Sequence, residues 1–213
     1  LAFELGVPGR NRACHRLGGP RNIECVLAAH CGPLAMTNRL YSLQPFRHVS
    51  YALEQACRCW KGRVDKPQVV INAAALKHVP ICEDNPYESV KTNIIGHQNV
   101  IECVNLYETI ETLIFVSTDK ACKPINVYGM CKAISEQLYI SFAKQQDKTK
   151  VVIVRYGNVL ESTGSVIPFF KDLLDDSNTT TLPITHPEMT RFLLDVEEAI
   201  DLILQQEIVA IFQ

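Results

Sequence analysis

Tyr128 and Lys132 stand four residues apart in "NVYGMCK". On a helix that spacing puts the phenol and the ammonium one turn apart on the same face. A phenol ordinarily ionises near pH ~10, so it works as a base near neutrality only where a cation stabilises the phenolate. Spacing alone does not assign the chemistry, because Tyr87 and Lys91 in "NPYESVK" repeat it. Context separates the two pairs. Tyr128 follows the polar run Ser117-Thr118-Asp119-Lys120, whereas Tyr87 sits mid-helix with no such run leading to it. Asp119 and Lys120 form a second chemical pair: a lysine made neutral removes a proton, and a carboxyl donates one. The bland alternative for them is a surface ion pair.

The elements that must hold these residues are legible from Lys66 onward. "QVVINAAA" and "TLIFVST" are apolar, β-branched runs that suit buried parallel strands, and "KVVIVRYGN" is a third. Between them, "NPYESVKTNIIGHQNVIECVNLYE" reads as a helix opened by Pro86, with Val90, Ile94, Val100, Ile101 and Val104 at helical intervals. "YGMCKAISEQLYISFAKQQ" reads as the next, with Met130, Ile134, Leu138 and Phe142 along one stripe. Strand, helix, strand, helix, strand predicts an α/β fold, a Rossmann-type parallel sheet with helices on both faces. Ligands of such sheets lie beyond the carboxyl ends of the strands. That singles out Ala73-Ala74-Ala75-Leu76-Lys77-His78, Ser117 to Lys120, and Tyr156-Gly157-Asn158-Val159.

The chain has 213 residues, 47% apolar and 21% charged, which is globular and neither disordered nor membrane-spanning in composition. A net charge of -2 with no long basic run argues against nucleic acid or a membrane surface as partner. No apolar stretch approaches the ~18 residues of a bilayer span, and the opening "LAFELGVPGR" lacks a secretory pattern, so a cytoplasmic location is expected. Nine cysteines include no C-x-x-C. A zinc cluster of Cys25, His30 and Cys31 lacks paired ligand spacing, and no metal site is expected.

Residues 1–65 differ from the rest. They hold "GVPG", "GGPR" and "CGPL" among scattered Arg, Cys and His, and no convincing strand followed by a glycine-rich turn and helix. Gly6 and Gly9 are the nearest approach to such a turn. The abrupt change near residue 60 motivates the expectation that the upstream stretch is out of frame with the remainder of the chain. Three segments result: an atypical segment 1–65, a Rossmann-like core 66–160 with the chemical motifs, and a partial substrate-binding region 161–213.

Four ordered motifs, "NAAALKHVPICEDNPYESVKTNIIGHQNVIE", "FVSTDKACKPINVYGMCKA", "VRYGNVLESTGSVIPFF" and "ITHPEMTRF", resemble the extended short-chain dehydrogenase/reductase superfamily. Within it the chain is similar to the inverting UDP-N-acetylglucosamine 4,6-dehydratases of polysaccharide biosynthesis, from about Lys66 to Leu204. The resemblance implies a bound NADP, or NAD, that is returned unchanged. The sugar C4 hydroxyl is oxidised, the C5 proton is removed, water leaves across C5 and C6, and hydride returns at C6 with C5 inverted.

By motif, Tyr128 is the base for C4 oxidation and Lys132 lowers its pKa while holding the cofactor ribose. Lys120 is the C5 base and Asp119 the acid for the departing hydroxyl. Ala73, Ala74, Lys77, Val116 and Ser117 line the cofactor together with Tyr128 and Lys132, and Tyr156, Gly157, Asn158 and Val159 close beside the nicotinamide. Lys77, Thr118, Asn158, Val166, Thr190 and Arg191 face a UDP-sugar, with Arg191 suited to its diphosphate. Related nucleotide-sugar epimerases and reductases share most of these motifs, and an inactive fragment without the phosphate site is a further alternative. The helices around "PYESVKTNIIGHQNVIE" and "YGMCKAISEQLY" commonly build a dimer in the superfamily, so a homo-oligomer is expected.

Overall fold

The structure is a computed structural model that describes residues 23–26, 68–160, 165–175, 181–184 and 186–204. A four-stranded sheet is its centre: β1 (Ile23–Val26), β2 (Val69–Asn72), β3 (Thr112–Thr118) and β4 (Lys150–Tyr156), in that spatial order and all parallel. Every residue of β2 and β3 is buried, as strands covered on both faces require. Successive crossovers that step one way across a sheet keep one hand, so their helices fall on the same face. Accordingly α1 (Val79–Asp84), α2 (Pro86–Val90), α3 (Gly96–Asn105) and α4 (Val127–Gln145) line one side. There Val70, Leu113 and Phe115 meet Val100, Val104, Tyr139 and Phe142. The opposite face presents Val69, Ile71, Ile114, Val116, Val152 and Val154, against which Ile203 of α6 (Val196–Leu204) packs. A second, two-stranded sheet pairs β5 (Asn158–Val159) with β6 (Leu193–Leu194), and α5 (Val166–Asp175) lies between them in the chain.

Three expectations need correction. The stripe Met130, Ile134, Leu138, Phe142 is not the buried face of α4: Met130 and Ile134 are 48% and 49% exposed. The buried residues are instead Tyr128, Cys131, Lys132, Ser135, Glu136, Tyr139 and Phe142, because polar groups on that face find partners on the sheet. The long helix expected from Asn85 starts earlier, at Val79, and a π-helical turn, Lys91–Ile95, interrupts it. Finally, residues 1–65 do contribute a strand, β1, in register with β2 from Ile23 opposite Val69. Gly6, Gly9, His30 and Cys31 lie outside the described residues. Among the described residues no helix is long and apolar enough to cross a membrane.

Candidate functional site

β3 and β4 end side by side, with Thr118 opposite Tyr156. The chain then turns tightly through Asp119–Ala121, and Thr118 caps that turn by accepting from the Lys120 N–H. This turn puts Asp119 and Lys120 on one site although they are adjacent. The Lys120 Nζ donates to Asp119 Oδ1 at 3.0 Å and to Asn158 Oδ1 at 3.0 Å, and Thr118 Oγ1 donates to the same Asp119 oxygen at 2.9 Å. Both charged side chains remain about one third exposed. Burial pushes the Asp119 carboxyl up, but hydrogen bonds from Lys120 and Thr118 outweigh it and hold the group below its ordinary range. It is therefore a carboxylate at neutral pH.

Helix α4 brings Tyr128 to this turn. Asn126 caps the helix, its Oδ1 accepting from the Gly129 N–H at 2.8 Å, and Glu83 of α1 accepts from the Val127 N–H at 2.7 Å. A Cβ on Gly129 would lie 2.3 Å from the Lys120 carbonyl oxygen, so only glycine lets the first turn of α4 pack so closely on the 119–121 turn. The Tyr128 ring is buried with Leu76 and Cys82, and its hydroxyl hydrogen-bonds the Thr118 side chain. Burial pushes the phenol well above its ordinary value, and the negative charge that Tyr156, Cys82 and Asp119 can carry adds to this. Lys132 is not among the groups acting on it. The expected lowering of the phenol by Lys132 is thus absent from the ligand-free protein. The Lys132 Nζ instead donates to the Val116 carbonyl at 2.9 Å and lies 4.5 Å from the Phe115 ring centroid.

The other expected positions divide into several groups. Asn158 and Thr118 belong to the cluster just described, and Tyr156 and Ala73 pack together at the sheet face. Ala74 is fully buried in the core, and the Ser117 hydroxyl donates to Glu136 beneath α4, so the side chains of both are turned to packing. Gly157 passes so close to Phe192 that a Cβ would come within 2.4 Å of its carbonyl oxygen, and the Asn158 N–H donates to that same oxygen at 2.8 Å. Lys77 is partly buried, and burial lowers its amine. Val166, Thr190 and Arg191 are exposed, Thr190 and Arg191 lying just before the strand that pairs with Asn158. The Tyr87 and Lys91 pair stays on the surface, with the ammonium 4.4 Å from the ring centroid and 3.3 Å from Glu88.

Three residues outside the expected set also shape the site. Asn93 braces the 73–78 loop by accepting from the Leu76 N–H at 2.8 Å and donating to its carbonyl at 2.9 Å. Gly129 permits the close approach of α4, and a glycine inside a helical pattern was the available signal. Glu136 lies one turn beyond Lys132, and that opposite charge at helical spacing was readable too. Nothing in the sequence marked Asn93.

Residues 53–210 match the family described as polysaccharide biosynthesis protein. The chain is 48% identical over 147 residues to a Methanocaldococcus jannaschii protein named as an uncharacterized membrane protein, covering 68% of this chain and 43% of that one. It is 45% identical over 137 residues to the inverting UDP-N-acetylglucosamine 4,6-dehydratase of Campylobacter jejuni, covering 63% and 40%. Among solved structures, Pen from Bacillus thuringiensis superposes with a TM-score of 0.63 at 32% identity, covering 80% of this chain and 49% of that one. The chain spans less than half the length of each of these proteins.

Proposed function

The chain belongs to the polysaccharide biosynthesis protein family, and from that premise we propose that it carries the catalytic half of a nucleotide-sugar 4,6-dehydratase of the C5-inverting UDP-N-acetylglucosamine type. The observation that carries this reading is the meeting of Tyr128, Thr118, Asp119, Lys120 and Asn158 at the carboxyl ends of β3 and β4. A phenol, an amine and a carboxyl in one cluster match the three proton movements that the reaction needs. The similarity to the Campylobacter jejuni dehydratase supports the same choice.

The described residues fit the nicotinamide and ribose end of a dinucleotide. Ala73 and Gly157 leave the ends of β2 and β4 without bulk, and Lys132 lies under the end of β3. Tyr128, Lys132, Tyr156 and Asn158 would hold it, with the backbones of Val116 and Ser117. A bound nicotinamide supplies the acceptor and later the donor of hydride, and its positive charge offsets the burial that keeps the phenol protonated. NADP is the form proposed, with NAD as the alternative.

Tyr128 accepts the proton of the sugar C4 hydroxyl as that carbon is oxidised. The ketone acidifies C5. Lys120 and Asp119 then act together, because a proton passed along their 3.0 Å hydrogen bond leaves a neutral amine and a carboxylic acid. The amine takes the C5 proton, and the acid protonates the C6 hydroxyl as it leaves as water. Excluding water from the pair on substrate closure favours the neutral forms, since separated charges cost more in a dry site. Asn158 keeps Lys120 aimed through its second hydrogen bond. Thr190 and Arg191 are proposed to meet the diphosphate of a UDP-sugar, and a homo-oligomer is proposed as the assembled form.

The test is incubation of the protein with NADP and UDP-N-acetylglucosamine. A 4-keto-6-deoxy product lighter by one water is expected. An isomer of unchanged mass would mark a 4-epimerase instead, and no NADP binding at millimolar concentration would overturn the reading for this chain.

A further inference from the structure

Beneath α4 lies a set of buried charges that the proton movements above do not use. Glu136 is 2% exposed, yet three groups converge on its carboxylate. The Nε of Arg155 donates to Oε1 at 2.8 Å, Nη2 of the same guanidinium donates to Oε2, and the Ser117 hydroxyl donates to Oε1. Ser117 and Arg155 are register partners on β3 and β4, so the carboxylate straddles the two strands just where they end. Lys132 stands one turn earlier on the same helix and reaches Val116, the neighbour of Ser117. The helix thus lays a cation and an anion over consecutive residues of β3.

We propose that Glu136 is a positioning residue whose carboxylate, clamped by Arg155 and Ser117, is the buried counter-charge that keeps the Lys132 ammonium protonated and seated at the carboxyl end of β3. The proposal rests on the reading of Lys132 as a cofactor-side lysine. Lys132 is 1% exposed, and a carbonyl and an aromatic face alone do not offset the desolvation of an ammonium. The titratable groups that face it are few. Tyr128 shares its helix and stays protonated through burial. His97 faces it from α3, fully buried and held neutral by that burial and by the Lys132 charge itself. Arg155 approaches from β4 as a second cation bound to Glu136. Among these described groups Glu136 alone supplies negative charge. Burial draws the Lys132 amine down to about 7 while Glu136 pushes the other way, which places the group where a lost counter-charge changes its protonation.

The experiment is a pH titration by NMR of protein whose lysine ε-carbons carry carbon-13, with the Lys132 signal identified by its absence in Lys132→Arg. It needs neither cofactor nor substrate, so it succeeds or fails independently of the dehydratase reading. Glu136→Gln keeps shape and hydrogen bonding, and should lower the Lys132 midpoint by about one pH unit or more. Arg155→Gln removes the competing cation and should move the midpoint the opposite way. A merely structural clasp would change melting temperature and leave the midpoint in place. An unchanged midpoint in folded Glu136→Gln overturns the proposal. Loss of fold in both variants does so as well, because it makes the clamp a tie between strands and helix only.

Discussion

The contact between Gly129 and the Lys120 turn is where the account is most open to refutation, and Gly129→Ala tests it. The added Cβ would sit 2.3 Å from the Lys120 carbonyl oxygen and 3.2 Å from both the Lys120 carbonyl carbon and the Pro124 Cβ. A carbon meets a carbonyl oxygen comfortably at roughly 3.3 Å, so helix and turn must separate by about 1 Å. Both bodies are backbone, and no side-chain rotation relieves the clash. Overpacking of this kind costs about 1–3 kcal/mol, here toward the upper end, while alanine regains up to about 1 kcal/mol in helix propensity. The net loss is about 1–2 kcal/mol, which in a chain of this size lowers the melting temperature by about 2–4 °C per kcal/mol. The larger effect is on chemistry. A shift of about 1 Å between the Tyr128 phenol and the Lys120 amine is expected to slow product formation on the order of 100-fold. Thermal unfolding followed by circular dichroism reads the first effect, and the yield of 4-keto-6-deoxy sugar reads the second. A variant that melts with the parent and turns over at the parental rate would refute the reasoning.

The same geometry has other consequences. Lys132 ionises in the fold at about 7 against an ordinary 10.5, so between those values the unfolded chain holds the extra proton and stability rises with pH. The slope from this group is up to about 1.4 kcal/mol per pH unit, flat below 7, and Lys132→Met should remove it in urea unfolding at pH 7 to about 9.5; an undiminished slope would contradict the burial argument. Tyr128 and Tyr139 are both shifted up by burial, so above about pH 10 they reverse the trend as the unfolded phenols ionise. Tyr139→Phe removes the oxygen that accepts from Asn72 at 2.8 Å but keeps the ring stacked on Phe115, and should cost about 1 kcal/mol in denaturant unfolding, because Asn72 retains His97 at 2.9 Å. Gly157→Ala should part β5 from β6 at Phe192 and free Asn158 from its position on Lys120, reducing turnover by at least about tenfold with little change in melting temperature. Parental turnover in that variant would separate Asn158 from the chemistry.

The strands were legible because β-branched runs with small residues at their ends have few other uses, and β2, β3 and β4 lie where those runs are. Lys120, Asp119 and Asn158 were legible as neighbours because the carboxyl ends of adjacent strands must converge. The buried face of α4 was not. Periodicity selects apolar residues, and this helix turns Lys132, Ser135 and Glu136 inward because Val116, Asn93 and Arg155 satisfy them. The π-helical turn at Lys91–Ile95 was equally invisible, since one extra residue in a helical turn leaves no compositional mark. The burial of the phenol emerges only in three dimensions, from Leu76 and Cys82, which stand some fifty residues before it in the chain.

One measurement bears most directly on the central claim that Tyr128 starts the reaction and the Lys120–Asp119 pair completes it. Parent, Tyr128→Phe and Lys120→Met proteins are incubated in deuterium oxide with NADP and UDP-N-acetylglucosamine, and the sugar is read by mass spectrometry. The account predicts a parent product that has lost one water and carries deuterium at C5, with neither change in either variant. Dehydrated, deuterated product from Tyr128→Phe at the parental rate would contradict it.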